Sequence, residues 1–90
     1  MEFVDVPTEV EAHFSEDGRV TPRSFTWQGE TLHISAVGRR RVEEEGAETV
    51  HYFLVMVDER WTFELRLEPS NLCWRVTRVW GQDKGDHALV

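Results

Sequence analysis

Apolar positions recur with a period of two along most of this chain, and no segment of helix length shows a helical period. The cleanest case is Trp61, Phe63, Leu65 and Leu67, which alternate with Thr62, Glu64, Arg66 and Glu68. Successive side chains of a strand point to opposite faces, so this is a strand with one buried and one wet face. Thr8 to Phe14 repeats the pattern, with Val10, Ala12 and Phe14 against Glu9, Glu11 and His13. Ser24 to Gln28 turns Phe25 and Trp27 inward, Thr31 to Val37 returns with Leu32, Ile34 and Ala36, and Cys73 to Trp80 sets Trp74 and Val76 against Arg75 and Thr77. Val50 to Val57 is different. It is apolar on both sets of positions, which predicts a central strand covered on both faces.

Turn chemistry separates these runs. Asp17-Gly18 suits a tight hairpin turn and Gln28-Gly29-Glu30 predicts a second one. Gly38 breaks the alternation of its run, as glycine does at a bulge or a close backbone approach. Pro22 places its segment at a sheet edge or a strand start, because proline has no N–H to give to a ladder. Arg39 to Glu45 reads as a charged, solvent-exposed strand end. The alternative is a helical turn with three Arg–Glu pairs four apart, but Val42 alone would dock it. The expected architecture is all-β: an antiparallel meander of about six strands forming a small barrel or half-barrel. Residues 1–7 read as an extended lead-in, 8–80 as a single β domain and 81–90 as a flexible tail.

Composition narrows the function classes. Ninety residues suffice for one core. A net charge of −7 disfavours a general nucleic-acid or anionic-membrane binder. A single cysteine, Cys73, leaves no internal disulfide and fits a reducing compartment. No apolar run approaches the roughly 20 residues that span a bilayer, and the first residues lack the features of a signal peptide. The expectation is a cytoplasmic protein.

Candidate chemistry is sparse. His13, His33, His51 and His87 are dispersed, with no local pair of the kind that nucleates a metal site, so no metal or cofactor is expected. Cys73 reads as a small buried hydrophobe. Glu64 reads as a cross-strand partner for Arg66 or Arg75 neighbours, worth a fraction of a kcal/mol. These two are the groups that a hydrolytic reading would invoke. The basic set has more shape: Arg66, Arg75 and Arg78 on the last two strands, with Trp80 close by, form a candidate binding face for single strands. Pairing of Arg66 and Arg75 with neighbouring glutamates would cancel its field beyond a Debye length.

Three stretches carry a resemblance: Tyr52-Phe53-Leu54-Val55, Trp61-Thr62-Phe63-Glu64-Leu65-Arg66, and Trp74-Arg75-Val76-Thr77-Arg78-Val79-Trp80, with Pro22-Arg23-Ser24-Phe25-Thr26-Trp27-Gln28-Gly29 upstream. Over about residues 9–81 the chain resembles an uncharacterised family of small bacterial β-domains, related to the C-terminal domain of Y-family polymerase-like proteins. The chain departs from that pattern at Arg40 to Val42, where the family tends to carry tryptophan. The resemblance implies an accessory or interaction role near bacterial DNA repair and assigns no catalytic residue. The expected function is therefore a non-enzymatic interaction module with a protein partner or a second copy, with single-stranded nucleic-acid binding as the alternative.

Overall fold

Every regular element among the described residues is a β-strand. The structure, a computed structural model, describes residues 1–81. In chain order the strands are β1 (Glu2–Thr8), β2 (Val10–Phe14), β3 (Val20–Trp27), β4 (Glu30–His33), β5 (Ala36–Glu45), β6 (Glu48–Val57), β7 (Trp61–Glu68) and β8 (Cys73–Gly81). Five form one antiparallel sheet in the order β1-β8-β7-β6-β5, and β2-β3-β4 form a second. The all-β antiparallel class is as the sequence predicts. The described strands number eight, not about six, and divide between two sheets, so they form no closed barrel.

One extra strand, β1, comes from a segment of weak apolar alternation; the other arises because the expected strand Thr31–Val37 is divided at Ile34-Ser35 between β4 in the small sheet and β5 in the large one. Residues 1–7, expected as a lead-in, are extended but belong to β1, which pairs antiparallel with β8 from Glu2↔Val79 to Thr8↔Trp74. Arg39 to Glu45 is no helical turn; it continues β5 alongside β6 as far as Glu45↔Glu48. Gly38 falls within the register shift between Val37 and Arg40, the bulge its position predicts. The expected tail, 81–90, begins at the last residue of β8, and 82–90 lie outside the described residues.

Two expectations need correction. Val50 to Val57 lies in β6, which is interior, but β7 holds the middle of the sheet. On β6, Phe53, Val55 and Val57 are buried; at the alternate positions, on the other face, Val50 is buried as well, whereas Tyr52, Leu54 and Met56 are half-buried. Long charged side chains cover that second face in place of a second apolar layer. Pro22 is buried in β3, the middle strand of the small sheet, not at an edge. Pairing of β3 with β4 stops at Ser24↔His33, and the pairing with β2 shifts register between Glu11 and Ala12 opposite this residue. The missing N–H therefore falls beyond one ladder and at a bulge in the other.

The small sheet covers one face of the large one, here called the inner face. Phe53, Val55, Val57, Phe63, Leu65, Leu67, Trp74, Val76 and Val79 meet Phe25 there, with Trp27, Leu32, Ile34, Val10 and Ala12 packed at the margin. Phe63 makes T-shaped contacts with Phe25 and Trp27, the ring centroids 4.9 Å and 5.4 Å apart. Such pairs add roughly 0.5–1.5 kcal/mol each beyond the area they bury. The Gln28-Gly29 turn holds the β3–β4 hairpin, with both residues at positive φ as a two-residue hairpin loop requires. Among the described residues no helix is long and apolar enough to cross a membrane. The face of the large sheet turned away from the small one, the outer face, carries the charged groups.

Candidate functional site

Strict alternation along β8 would send Arg78 to the inner face with Trp74 and Val76. A bulge prevents it. Glu64 of β7 pairs with Arg78 and the next residue, Leu65, pairs with Val76, so β8 carries one extra residue at Thr77. Thr77 and Arg78 consequently both face outward, and Val79 returns to the core. Both outward groups converge on Glu64, whose backbone lies between Phe63 and Leu65 in the middle strand.

Glu64 is only 2% exposed, yet it is fully partnered. One carboxylate oxygen accepts from Arg41 Nη1 at 2.8 Å. The other accepts from Thr77 Oγ1 at 2.8 Å and lies 3.1 Å from Arg78 Nε. A buried carboxylate is tolerable only when its charge is matched and its lone pairs are filled, and here both conditions hold. The arginine partners are Arg41 and Arg78, not Arg66 or Arg75 as the sequence suggested.

Beside this centre runs a cross-strand row. Arg75 is opposite Arg66, Arg66 opposite Tyr52, and Tyr52 opposite Arg41. Like charges directly opposite one another repel, and each arginine is drawn toward carboxylates away from the row. Arg66 donates from Nη2 to Glu45 and from Nη1 to Glu68, both at 2.8 Å, and from Nε to the Tyr52 hydroxyl at 3.3 Å. Arg75 pairs with Asp5 of β1. Arg41 also bonds Glu43 at 2.8 Å and its guanidinium lies 4.1 Å from the Tyr52 ring centre. Arg78 lies 5.3 Å from the ring of Phe3. These side chains line an open cleft of about 650 Å³ across the sheet.

The network moves titrations in consistent directions. The Arg66 hydrogen bond, then that of Tyr52, holds the Glu45 carboxyl below its ordinary 4.5. Arg66, then Asn71, does the same for Glu68. Burial, then the bond to Glu45, pushes the Tyr52 phenol above its ordinary 10.0.

The second notable feature is an edge. β5 is ten residues long and, among the described residues, pairs on one side only, with β6. Its residues Arg39-Arg40-Arg41-Val42-Glu43-Glu44-Glu45 alternate between the faces of the sheet. Arg41, Glu43 and Glu45 join the outer network, whereas Arg40 lies against the Phe53 ring at 5.3 Å and Val42 is 57% exposed. Among the described residues, neither Arg40 nor Glu44 has an ion-pair partner within 4 Å.

Of the candidate face proposed from sequence, Arg66, Arg75 and Arg78 do come together in one cleft, while Trp80 is half-buried opposite Thr62 and does not line it. Cys73 is exposed at the start of β8, not buried, because alternation turns it to the outer face opposite Glu68 while Trp74 takes the core side. Sequence reasoning missed Asp5, Arg41, Glu45 and Tyr52. Asp5 sits in a segment without a clear strand pattern, and the roles of Arg41 and Glu45 follow only once β5 is read as a full strand. The chain matches no protein-family model, no curated protein and no solved structure.

Proposed function

We propose that this domain is a non-enzymatic interaction or accessory module of the cytoplasm that engages a protein partner through the free side of β5. One observation carries the reading: among the described residues a ten-residue edge strand is left open on one side, with Val42 exposed in its second half. An open edge offers a row of unpaired N–H and C=O groups, which is how strand addition recruits an extended partner. The resemblance to domains at the end of Y-family polymerase-like proteins would set that role near bacterial DNA repair.

The alternative is binding of single-stranded nucleic acid in the outer cleft, favoured by the meeting of Arg66, Arg75 and Arg78 beside the exposed Phe3. Charge weighs against it. The four arginines there, Arg41, Arg66, Arg75 and Arg78, are ion-paired with five carboxylates, those of Asp5, Glu43, Glu45, Glu64 and Glu68. A phosphate backbone would have to displace these to gain its contacts.

The test is a comparison of wild-type and Val42→Pro protein as immobilised bait, together with mass in solution. Proline at an edge position removes an outward N–H without cutting the ladder to β6. The reading expects a partner, or a second copy, held by the wild type and lost from the variant. A strict monomer from which Val42→Pro removes nothing contradicts it.

A further inference from the structure

We infer that the partner of β5 is a second copy of β5, paired antiparallel about a two-fold axis at Val42. This deepens the proposed function and rests on it. The run Arg39-Arg40-Arg41-Val42-Glu43-Glu44-Glu45 is complementary to itself when reversed. With Val42 opposite the partner's Val42, Arg41 meets the partner's Glu43 and Arg40 meets the partner's Glu44, while Arg39 and Glu45 continue the charge complementarity of the sequence. Each of these contacts occurs twice, as a two-fold axis requires.

The backbone fits the same register. Glu45 and Glu48 flank the two-residue turn Gly46-Ala47, which makes them a hydrogen-bonded pair. Hydrogen-bonded and non-hydrogen-bonded pairs alternate along an antiparallel ladder. Counting back, Glu43 and Arg41 bond inward to β6, whereas Glu44, Val42 and Arg40 turn their N–H and C=O groups to the open side. In the proposed register these outward residues oppose one another: Val42 faces its own copy, and Arg40 faces the partner's Glu44. The bulge lies before Arg40, so the stretch from Arg40 to Glu45 is regular.

The side chains supply the second argument. Arg40 and Glu44 share the inner side of β5, have no ion-pair partner among the described residues, and become each other's partners across the axis. Val42, exposed between them, packs on its copy as a β-branched cross-strand pair. On the outer side, Arg41 and Glu43, already bonded at 2.8 Å, extend into a four-membered network with their copies.

Charge also selects against the alternatives. Shifting the register by two residues puts Arg41 opposite Arg41, or Glu43 opposite Glu43. Parallel pairing in register sets all three arginines against arginines. An unrelated strand meets three cations followed by three anions, a pattern that few sequences match. The charges that protect this edge from indiscriminate pairing therefore admit one partner. Pairing joins the two five-stranded sheets into one continuous sheet.

Light scattering up to millimolar chain tests the pairing. Wild-type protein is expected as a dimer and Val42→Pro as a folded monomer. Arg40→Glu and Glu44→Arg are each expected to weaken the dimer roughly tenfold or more, since each places like charges opposite twice. Mixing these two variants restores opposite charges in a heterodimer, so their mixture is expected to regain dimer mass, a readout that loss of folding cannot mimic. A wild-type monomer at millimolar concentration, a dimer that persists in Val42→Pro, or a mixture that stays monomeric overturns the inference. A monomer that still holds a different protein through β5, lost with Val42→Pro, overturns self-pairing alone. A monomer that holds nothing contradicts the interaction reading as well.

Discussion

On the outer face of the five-stranded sheet, every arginine of the cleft has a carboxylate within 4 Å, and Glu64 at the centre is held by two of them. On the inner side of β5, Arg40 and Glu44 have no ion-pair partner among the described residues. The residue types are the same, and the strands are neighbours. The difference is topological. On the outer face the β5 side chains Arg41 and Glu45 reach across to Glu64 and Arg66 of the interior strand β7, so their charges are matched within one chain. An edge strand has neighbours on one side only, and half of its pairing capacity remains for something else. Arginine and glutamate thus fasten the sheet together in one place and leave it selectively open in the other.

The comparison breaks most readily at Glu64. Glu64→Ala leaves Arg41 and Arg78 without their shared carboxylate and opens a space in the middle strand. Breaking a buried pair costs several kcal/mol; because both arginines are about a third exposed and can rehydrate, the expected loss is about 2 kcal/mol. Chemical denaturation in the Val42→Pro background, where dimerisation does not contribute, reads that loss directly. Glu64→Gln keeps the shape and is expected to cost less. Equal stability of wild type and Glu64→Ala would show that the cluster is incidental to the fold.

A smaller effect is expected at Arg66, which links Glu45, Glu68 and Tyr52. Arg66→Ala should cost about 1 kcal/mol, because its partners are mostly solvated and repel one another only weakly once it is gone. The same residue shapes the pH dependence. Glu45 and Glu68 are held below their ordinary 4.5 in the folded state, so their contribution is fully present above that value. It is lost as pH falls through the depressed folded values. Tyr52 is raised, so its contribution is full below its ordinary 10.0 and declines as pH rises beyond it. Denaturation midpoints across pH should therefore fall at both ends, and Arg66→Ala should flatten the acid limb. An unchanged acid limb would remove Arg66 as its cause.

The smallest effect on folding belongs to the edge. Arg40→Glu is expected to alter the stability of the monomer by no more than about 0.5 kcal/mol, as an exposed substitution without an ion-pair partner does. If it destabilises the monomer as much as Arg66→Ala, the edge is as internally bonded as the face, and the contrast between them disappears.

Much of this was legible in the chain. Period-two alternation located β2, β3, β6, β7 and β8, and the Gly38 bulge followed from a single glycine. The strand that escaped, β1, and the far half of β5, legible only as a charged strand end, lie at the two edges of the sheet, where burial is slight and hydrophobic patterning is correspondingly weak. The candidate arginines were legible as a group, but their pairing was not. It depends on the bulge at Thr77, which no glycine or proline marks, and on β1, which lies 70 residues from Arg75 in sequence and supplies Asp5. Pro22 misled for a related reason: a register shift removes the need for its N–H inside a middle strand.

The central claim is that this domain works through its edge strand and not through its arginine cleft. Mass in solution by light scattering at low salt, with and without a mixed-sequence single-stranded oligonucleotide, tests it most directly. The account predicts a dimer whose mass the oligonucleotide leaves unchanged. A monomer that gains mass when the oligonucleotide is added, and loses that gain with Arg75→Glu, would contradict it and move the function to the cleft.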